Sequence, residues 1–202
     1  PIHESNIYVI DGEIIVDTGT GTFFPSVKRI LEPMKLPLKA VINTHFHFDH
    51  TGGNKKFRDW LKTDIAIHQD DRQFIESGKT FSETFGEQAR SVTADILVEE
   101  HDFVKTPHFK FRIVHTPGHT PGSMCLYESR KRILFSGDTI LPDGIGKSNL
   151  PYGNEAEILD SVKRLSELNI SFLFPGHGKP LTGKVDFLIR QMSALKKESK
   201  HT

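Results

Sequence analysis

Apolar and polar positions recur at two different periods along this chain, and each change of period marks a new element. Ile7 to Ile10 and Glu13 to Val16 are β-rich runs on either side of Asp11-Gly12, a pair suited to a tight hairpin turn. From Pro25 onward Val27, Ile30, Leu31 and Met34 fall at helical spacing, and Pro33 and Pro37 limit how far that helix runs. Ala40-Val41-Ile42 reads as a buried strand, and Gly52-Gly53 to Trp60 as a loop leading into a helix. Ile65-Ala66-Ile67 is a further strand, followed by a polar helix from Gln69 to Glu76. Strand and helix therefore alternate through the first third of the chain.

Residues 77–94 break that rhythm, being polar and uneven but carrying Phe81 and Phe85. They are expected to be an insertion that caps an active-site edge or makes the subunit contact of a homodimer. Beyond it, Ile96 to Val104, Phe109 to His115, Ser123 to Tyr127 and Arg132 to Phe135 are strand-like runs punctuated by Pro and Gly, predicting a second sheet. Glu155 to Leu168 then places Ile158, Leu159, Val162, Leu165 and Leu168 on one helical face. Phe172-Leu173-Phe174 is a strand, and a terminal helix ends in a Lys-rich tail expected to be a solvated helix end. The order is hairpin, helices, hairpin, helices, and the hairpins end alike in Asp17-Thr18-Gly19 and Ser136-Gly137-Asp138. An internal duplication of that kind predicts one α/β domain over residues 1–202, two β-layers with helices outside and the functional loops at one edge.

Composition narrows the partners. Lys plus Arg equals Asp plus Glu at 26 each, so no global field draws in a polyanion and nucleic acid is not an expected partner. No apolar run approaches the ~20 residues that cross a bilayer, and Pro1 to Ser5 lacks the features of a signal sequence. The expectation is a cytoplasmic protein acting on a small molecule, with no membrane partner. The single Cys125 lies in the apolar run Met124 to Tyr127 and reads as a buried structural thiol.

The chemistry is concentrated in Thr44-His45-Phe46-His47-Phe48-Asp49-His50-Thr51-Gly52-Gly53, where a buried strand ends. Residues two apart in extended backbone point the same way, so His45 and His47 can hold one metal while Asp49 and His50, beyond a turn, reach a second. Phe46 and Phe48 are expected to pack beneath this loop rather than line a pocket. Three later strand-end loops offer His119 (in Thr116-Pro117-Gly118-His119-Thr120-Pro121-Gly122), Asp138 (after Gly137) and His177 (in Pro175-Gly176-His177-Gly178). Each is weak alone, and together they make a set. Imidazole and carboxylate donors without thiolate suit Zn²⁺, with Fe or Mn as the other ions. His68, His101, His108 and His115 fall outside this pattern and read as structural or surface residues.

These motifs, in this order from Ser5 to Gly178, resemble the metallo-β-lactamase superfamily. The resemblance implies an αββα sandwich and two divalent metal ions, with His45, His47 and His119 on one, Asp49, His50 and His177 on the other, and Asp138 bridging. Asp17 would then lie beneath the site. The wording of the motifs is most similar to glyoxalase II, the hydroxyacylglutathione hydrolase, and implies a substrate contact for Lys147, nine residues after Asp138. Two departures stand out: Asn149 occupies the place of a Tyr, and the helical C-terminal extension of that enzyme is not found in the sequence. The expected function is hydrolysis of a small thioester or related carbonyl ester by a metal-bridging hydroxide, with Asp49 and Asp138 as catalytic carboxylates. The rivals are a mononuclear iron persulfide dioxygenase using His45, His119 and Asp138, a lactonase, and a nuclease.

Overall fold

At the first turn, Asp11 and Gly12 both take positive φ (55° and 69°), and the Glu13 N–H closes onto the Ile10 carbonyl at 2.9 Å. This turn matches the right-handed twist of the strands it joins, β1 (Tyr8–Ile10) and β2 (Ile14–Val16). The computed structural model describes residues 4–198, and the side chains at 195–198 are left aside. Of the Lys-rich tail, Lys196 and Lys197 lie in the last helix, and residues 199–202 fall outside the described residues. The chain divides into two compact units: Pro1–Val98 with Thr106–Phe109, and Glu99–Lys105 with Lys110–Thr202.

In the first unit, α1 (Phe24–Leu31) has Pro in its first turn, where no N–H is needed, and runs into a 3-10 turn at Glu32–Met34. Then come β3 (Ala40–Ile42), the single-turn α2 (Phe48–Thr51), α3 (Asn54–Leu61) and β4 (Asp64–His68). The expected Gln69–Glu76 helix begins as a 3-10 turn, Gln69–Asp71, before α4 (Arg72–Ser77), which Gly78 ends at φ 73°. Within residues 77–94 the regular structure is a 3-10 turn at Ser82–Phe85. The unit closes with β5 (Ile96–Val98), and its sheet runs β1-β2-β3-β4-β5, antiparallel only at the first pair. Ile15, Val41, Ile65, Ile67, Phe46, Phe57, Phe74 and Ile75 form its core.

The second unit holds β6 (Phe103–Lys105), β7 (Lys110–His115), β8 (Met124–Glu128), β9 (Ile133–Gly137) and the small β10 (Ile140–Leu141) and β11 (Gly144–Ile145) ribbon. After α5 (Glu155–Ser166) come β12 (Phe172–Pro175), β13 (Leu181–Thr182) and α6 (Val185–Glu198). Its main sheet runs β13-β12-β9-β8-β7-β6, with β12 parallel to β9. Val162 and Leu165 of α5 and Val185 and Ile189 of α6 pack on Leu134 and Leu173. The side-chain carbonyl of Asn154 caps α5, accepting from Ala156 N (3.0 Å) and Glu157 N (3.3 Å).

The run Ile96 to Val104, expected as one strand of the second sheet, is two strands in different units. Between them the Asp102 carboxylate accepts the Glu99 N–H at 2.9 Å and His101 takes φ 73°, so a polar tight turn breaks the run. No helix among the described residues is long and apolar enough to cross a membrane.

Candidate metal centre

In the first unit the histidine-rich loop begins where β3 stops hydrogen bonding. His45 (1% exposed) lies in a bend after Ile42 rather than in extended backbone, His47 occupies the N-cap position of α2 without a side-chain capping bond, and Asp49 and His50 lie within that single turn. The turn is held from three sides. Buried Asp71 accepts the Phe46 N–H at 3.0 Å, the Thr80 carbonyl accepts the Phe48 N–H at 2.8 Å, and Thr51 Oγ1 donates to the Phe46 and His47 carbonyls. Phe46 stacks on Phe74 with centroids 4.0 Å apart, and Phe81 of the 77–94 segment lies 5.5 Å from Phe46 and 5.4 Å from His47. Phe85 covers Phe48 at 5.5 Å.

Asp17 organises the nitrogens. It is 2% exposed at φ 56°, and its carboxylate accepts from Thr44 N, Thr44 Oγ1 and His50 Nδ1, each at 2.8 Å. A carboxylate only accepts, so His50 Nδ1 carries the proton and its Nε2 presents a lone pair. Because the Thr44 hydroxyl proton goes to Asp17, its oxygen is left to accept from His45 Nδ1 at 3.1 Å, which turns the His45 Nε2 lone pair inward as well. That nitrogen is 3.2 Å from His47 Nδ1. The distance serves an N–H···N bond, and it also matches the ~3.3 Å between two nitrogens on one tetrahedral ion with bonds of about 2.0–2.1 Å.

In the second unit His119 follows Gly118 (φ 122°) in a turn pinned by the Thr120 and Ser123 hydroxyls. Its Nδ1 donates to the Lys147 main-chain carbonyl at 2.6 Å, leaving Nε2 as the lone-pair side. That Nε2 is 3.7 Å from Asp138 Oδ2, and His177 Nε2 approaches the same oxygen at 3.5 Å. Asp138 directly follows β9, Gly176 N donates to the Gly137 carbonyl at 2.7 Å, and His177 is next in line. Gly146 makes this possible, since a Cβ there would fall 1.6 Å from the Asp138 carbonyl oxygen.

The donor set passes a chemical test for metal. In the first unit His50 Nε2 stands 3.9 Å from Asp49 Oδ2, and in the second His119 and His177 flank Asp138 Oδ2. These separations are too long for hydrogen bonds and suited to two ligands of one cation. A lone pair aimed at a carboxylate is unfavourable unless a cation sits between them. His/Asp clusters able to bind metal are thus present. Each unit assembles the sequence-predicted residues it contains: His45, His47, Asp49 and His50 in the first, His119, Asp138 and His177 in the second.

Thr44, Asp71 and the Lys147 carbonyl escaped the sequence reading. A Thr before the first His was visible, but main-chain carbonyls and an Asp 25 residues distant carry no sequence signal. Lys147 itself is exposed. Of the remaining histidines, His68 is buried and accepts from Asp70 N, while His115 Nε2 donates to the Pro121 carbonyl at 2.8 Å. His108 binds Asp11 at 2.9 Å on the surface.

Comparison with known proteins agrees. Residues 2–177 match the model of the metallo-beta-lactamase superfamily. Hydroxyacylglutathione hydrolase GloC of Haemophilus influenzae is 30% identical over 83% of this chain and 81% of its own. Acyl-coenzyme A thioesterase MBLAC2 of Gallus gallus is 29% identical over 87% of this chain and 73% of its own. The crystal structure of BLEG-1 B3 metallo-beta-lactamase superposes with a TM-score of 0.78 at 28% identity, covering 90% of each chain. Fold, motif order and sequence agree: the chain belongs to the metallo-β-lactamase superfamily and has its mixed α/β fold.

Proposed function

We propose that this protein is a binuclear metal-dependent hydrolase of a small thioester or related carbonyl ester. In this reading His45, His47 and His119 hold one ion, Asp49, His50 and His177 the other, and Asp138 is shared. Zn²⁺ is the first choice for neutral imidazole and carboxylate donors, with Fe and Mn next. The observation that carries the reading is the approach of His50, His119 and His177 Nε2 to aspartate carboxylate oxygens at 3.5–3.9 Å, with Nδ1 of His50 and His119 already engaged elsewhere.

Bound there, divalent ions supply Lewis acidity toward a carbonyl oxygen and activate water near neutral pH. The chain's own residues do the rest. Asp17 fixes the tautomer of His50 directly and that of His45 through Thr44, so no reorganisation is needed during reaction. Asp138, flanked by the His119 and His177 imidazoles, would be the carboxylate common to both ions. Asp49, with a side chain 13% exposed, would serve as a ligand and as a carboxylate able to hold a proton beside the ions. Lys147, exposed beside the carbonyl that holds His119, pairs with a substrate carboxylate. The names of the GloC and MBLAC2 relatives support a thioester as substrate.

The test joins metal analysis of the purified protein to hydrolysis assays on S-lactoylglutathione, acyl-coenzyme A, a lactone and a β-lactam. Two metal equivalents and thioester turnover that a chelator abolishes are expected. One iron per chain with sulfur-dependent oxygen uptake would replace the reading with a persulfide dioxygenase.

A further inference from the structure

The first unit contains a cleft of about 590 Å³ outside the set of ligand residues. It is lined by α3, with Lys55, Lys56 and Asp59, by the returning limb of the 77–94 segment, with Glu87 and Arg90, and by Phe48. Phe48 stands between His47 and Asp49 in the chain, so the cleft borders the turn that carries the ligands. The floor cannot be filled from below. A Cβ on Gly52 would come within 2.6 Å of the Thr20 carbonyl oxygen and 2.7 Å of the Phe48 ring. The volume is that of a site for a drug-sized group, far larger than a simple ion needs. Three cations and two carboxylates line it; Lys55 is matched by Asp59 at 3.1 Å, and Lys56 Nζ is anchored on the Gly21 carbonyl at 2.8 Å. In a chain of zero net charge, this is a local cationic excess beside the chemistry.

We infer that this cleft binds the anionic tail of the substrate's thiol half, a chain ending in carboxylates or phosphates, with Lys55, Lys56 and Arg90 meeting its charge. The inference rests on the thioesterase reading, and it assigns the 77–94 segment the role of a substrate wall. A tail of that size would gain contact from Phe48 and from the three cations, while the scissile carbonyl stays at the ligand turn. Glu87 opposes the anion and sets how tightly it is held.

The test separates binding from turnover. Wild type, Lys55→Glu/Arg90→Glu and Glu87→Lys are compared on acyl thioesters of glutathione, of coenzyme A and of neutral N-acetylcysteamine. Unreactive S-hexylglutathione and an S-alkyl coenzyme A thioether are titrated by calorimetry, with metal content and thermal midpoint as controls for folding. The double reversal should raise KM and Kd for at least one anionic series about tenfold, leave the neutral thioester's kcat and KM unchanged, and be mirrored by tightening in Glu87→Lys. Whichever series responds identifies carboxylate or phosphate as the recognised group. Charge reversals that leave both anionic series unaltered, or that shift the neutral thioester equally, overturn the inference even if thioesters are hydrolysed. Charge-sensitive thioether binding without any thioester turnover overturns the thioesterase reading, and with it the tail's role as part of a substrate, while showing that the cleft binds such anions.

Discussion

Asp17 shows how much one side chain can decide. Its carboxylate accepts three hydrogen bonds at 2.8 Å with almost no exposure, and all three donors belong to the histidine loop. Asp17→Asn must turn an NH₂ group toward Thr44 or toward the protonated Nδ1 of His50, setting donor against donor. We expect a loss of about 1–3 kcal/mol in stability and roughly 10–100-fold in metal affinity, read by chemical denaturation and competition with a metal-binding dye. Unchanged affinity would mean that His50 orientation does not depend on Asp17. Cys125 makes the opposite case, a side chain with chemistry it cannot use. Fully buried, its thiol is pushed up to about 11 by desolvation, outweighing the hydrogen bonds from Thr116 and Thr139. Native protein should therefore resist thiol-specific alkylation at pH 8 and react only on unfolding. Because the folded state holds this proton more tightly, its stabilising contribution is complete below the ordinary thiol range. It should fade as pH rises toward 11, by roughly 2–3 kcal/mol, visible as a falling denaturation midpoint that Cys125→Ala lacks.

At the scale of elements, close backbone approaches matter more than propensity. The strands and helices with a clear period, β1 to β4, α3, α5 and the sheet strands of the second unit, follow the alternation of apolar residues in the sequence. The single turn α2 does not, because four residues are too few for a period and its bonds come from Asp71, Thr80 and Thr51. Nor does the break at Glu99 to Asp102, since Ile96 and Val104 sit in one apparent β run and only the sheet each strand joins separates them. The ligands themselves were legible because four of them crowd into six residues. Gly146 was not, although the second unit's part of the site depends on it. Gly146→Ala would drive a methyl into the Asp138 carbonyl and displace the segment whose Lys147 carbonyl fixes His119. We expect about 3 kcal/mol of destabilisation together with lost metal at the Asp138 position, against about 1 kcal/mol and no metal loss for Asn154→Ala, which removes only the α5 cap. Equal effects of the two variants in metal content would refute this.

At the scale of the molecule, each unit supplies an incomplete donor set: three histidines and an aspartate in the first, two histidines and an aspartate in the second. In the proposed centre His45 and His119 serve one ion, whereas His45 and His177 serve different ions. Sharing has a thermodynamic signature. If His45 and His119 bind the same ion, removing either already removes that ion's contribution to folding, and removing the second costs little more. His45→Ala and His119→Ala should each lose about one metal equivalent and lower the thermal midpoint of the metal-loaded protein. The double variant should match the worse single variant. His45→Ala with His177→Ala, taken from different ions, should instead approach additivity and lose both equivalents. A chelator completes the cycle: in metal-free protein the His45 and His119 substitutions should lose most of their destabilising effect. Strict additivity of His45→Ala and His119→Ala in metal content would show that these two histidines do not serve one ion.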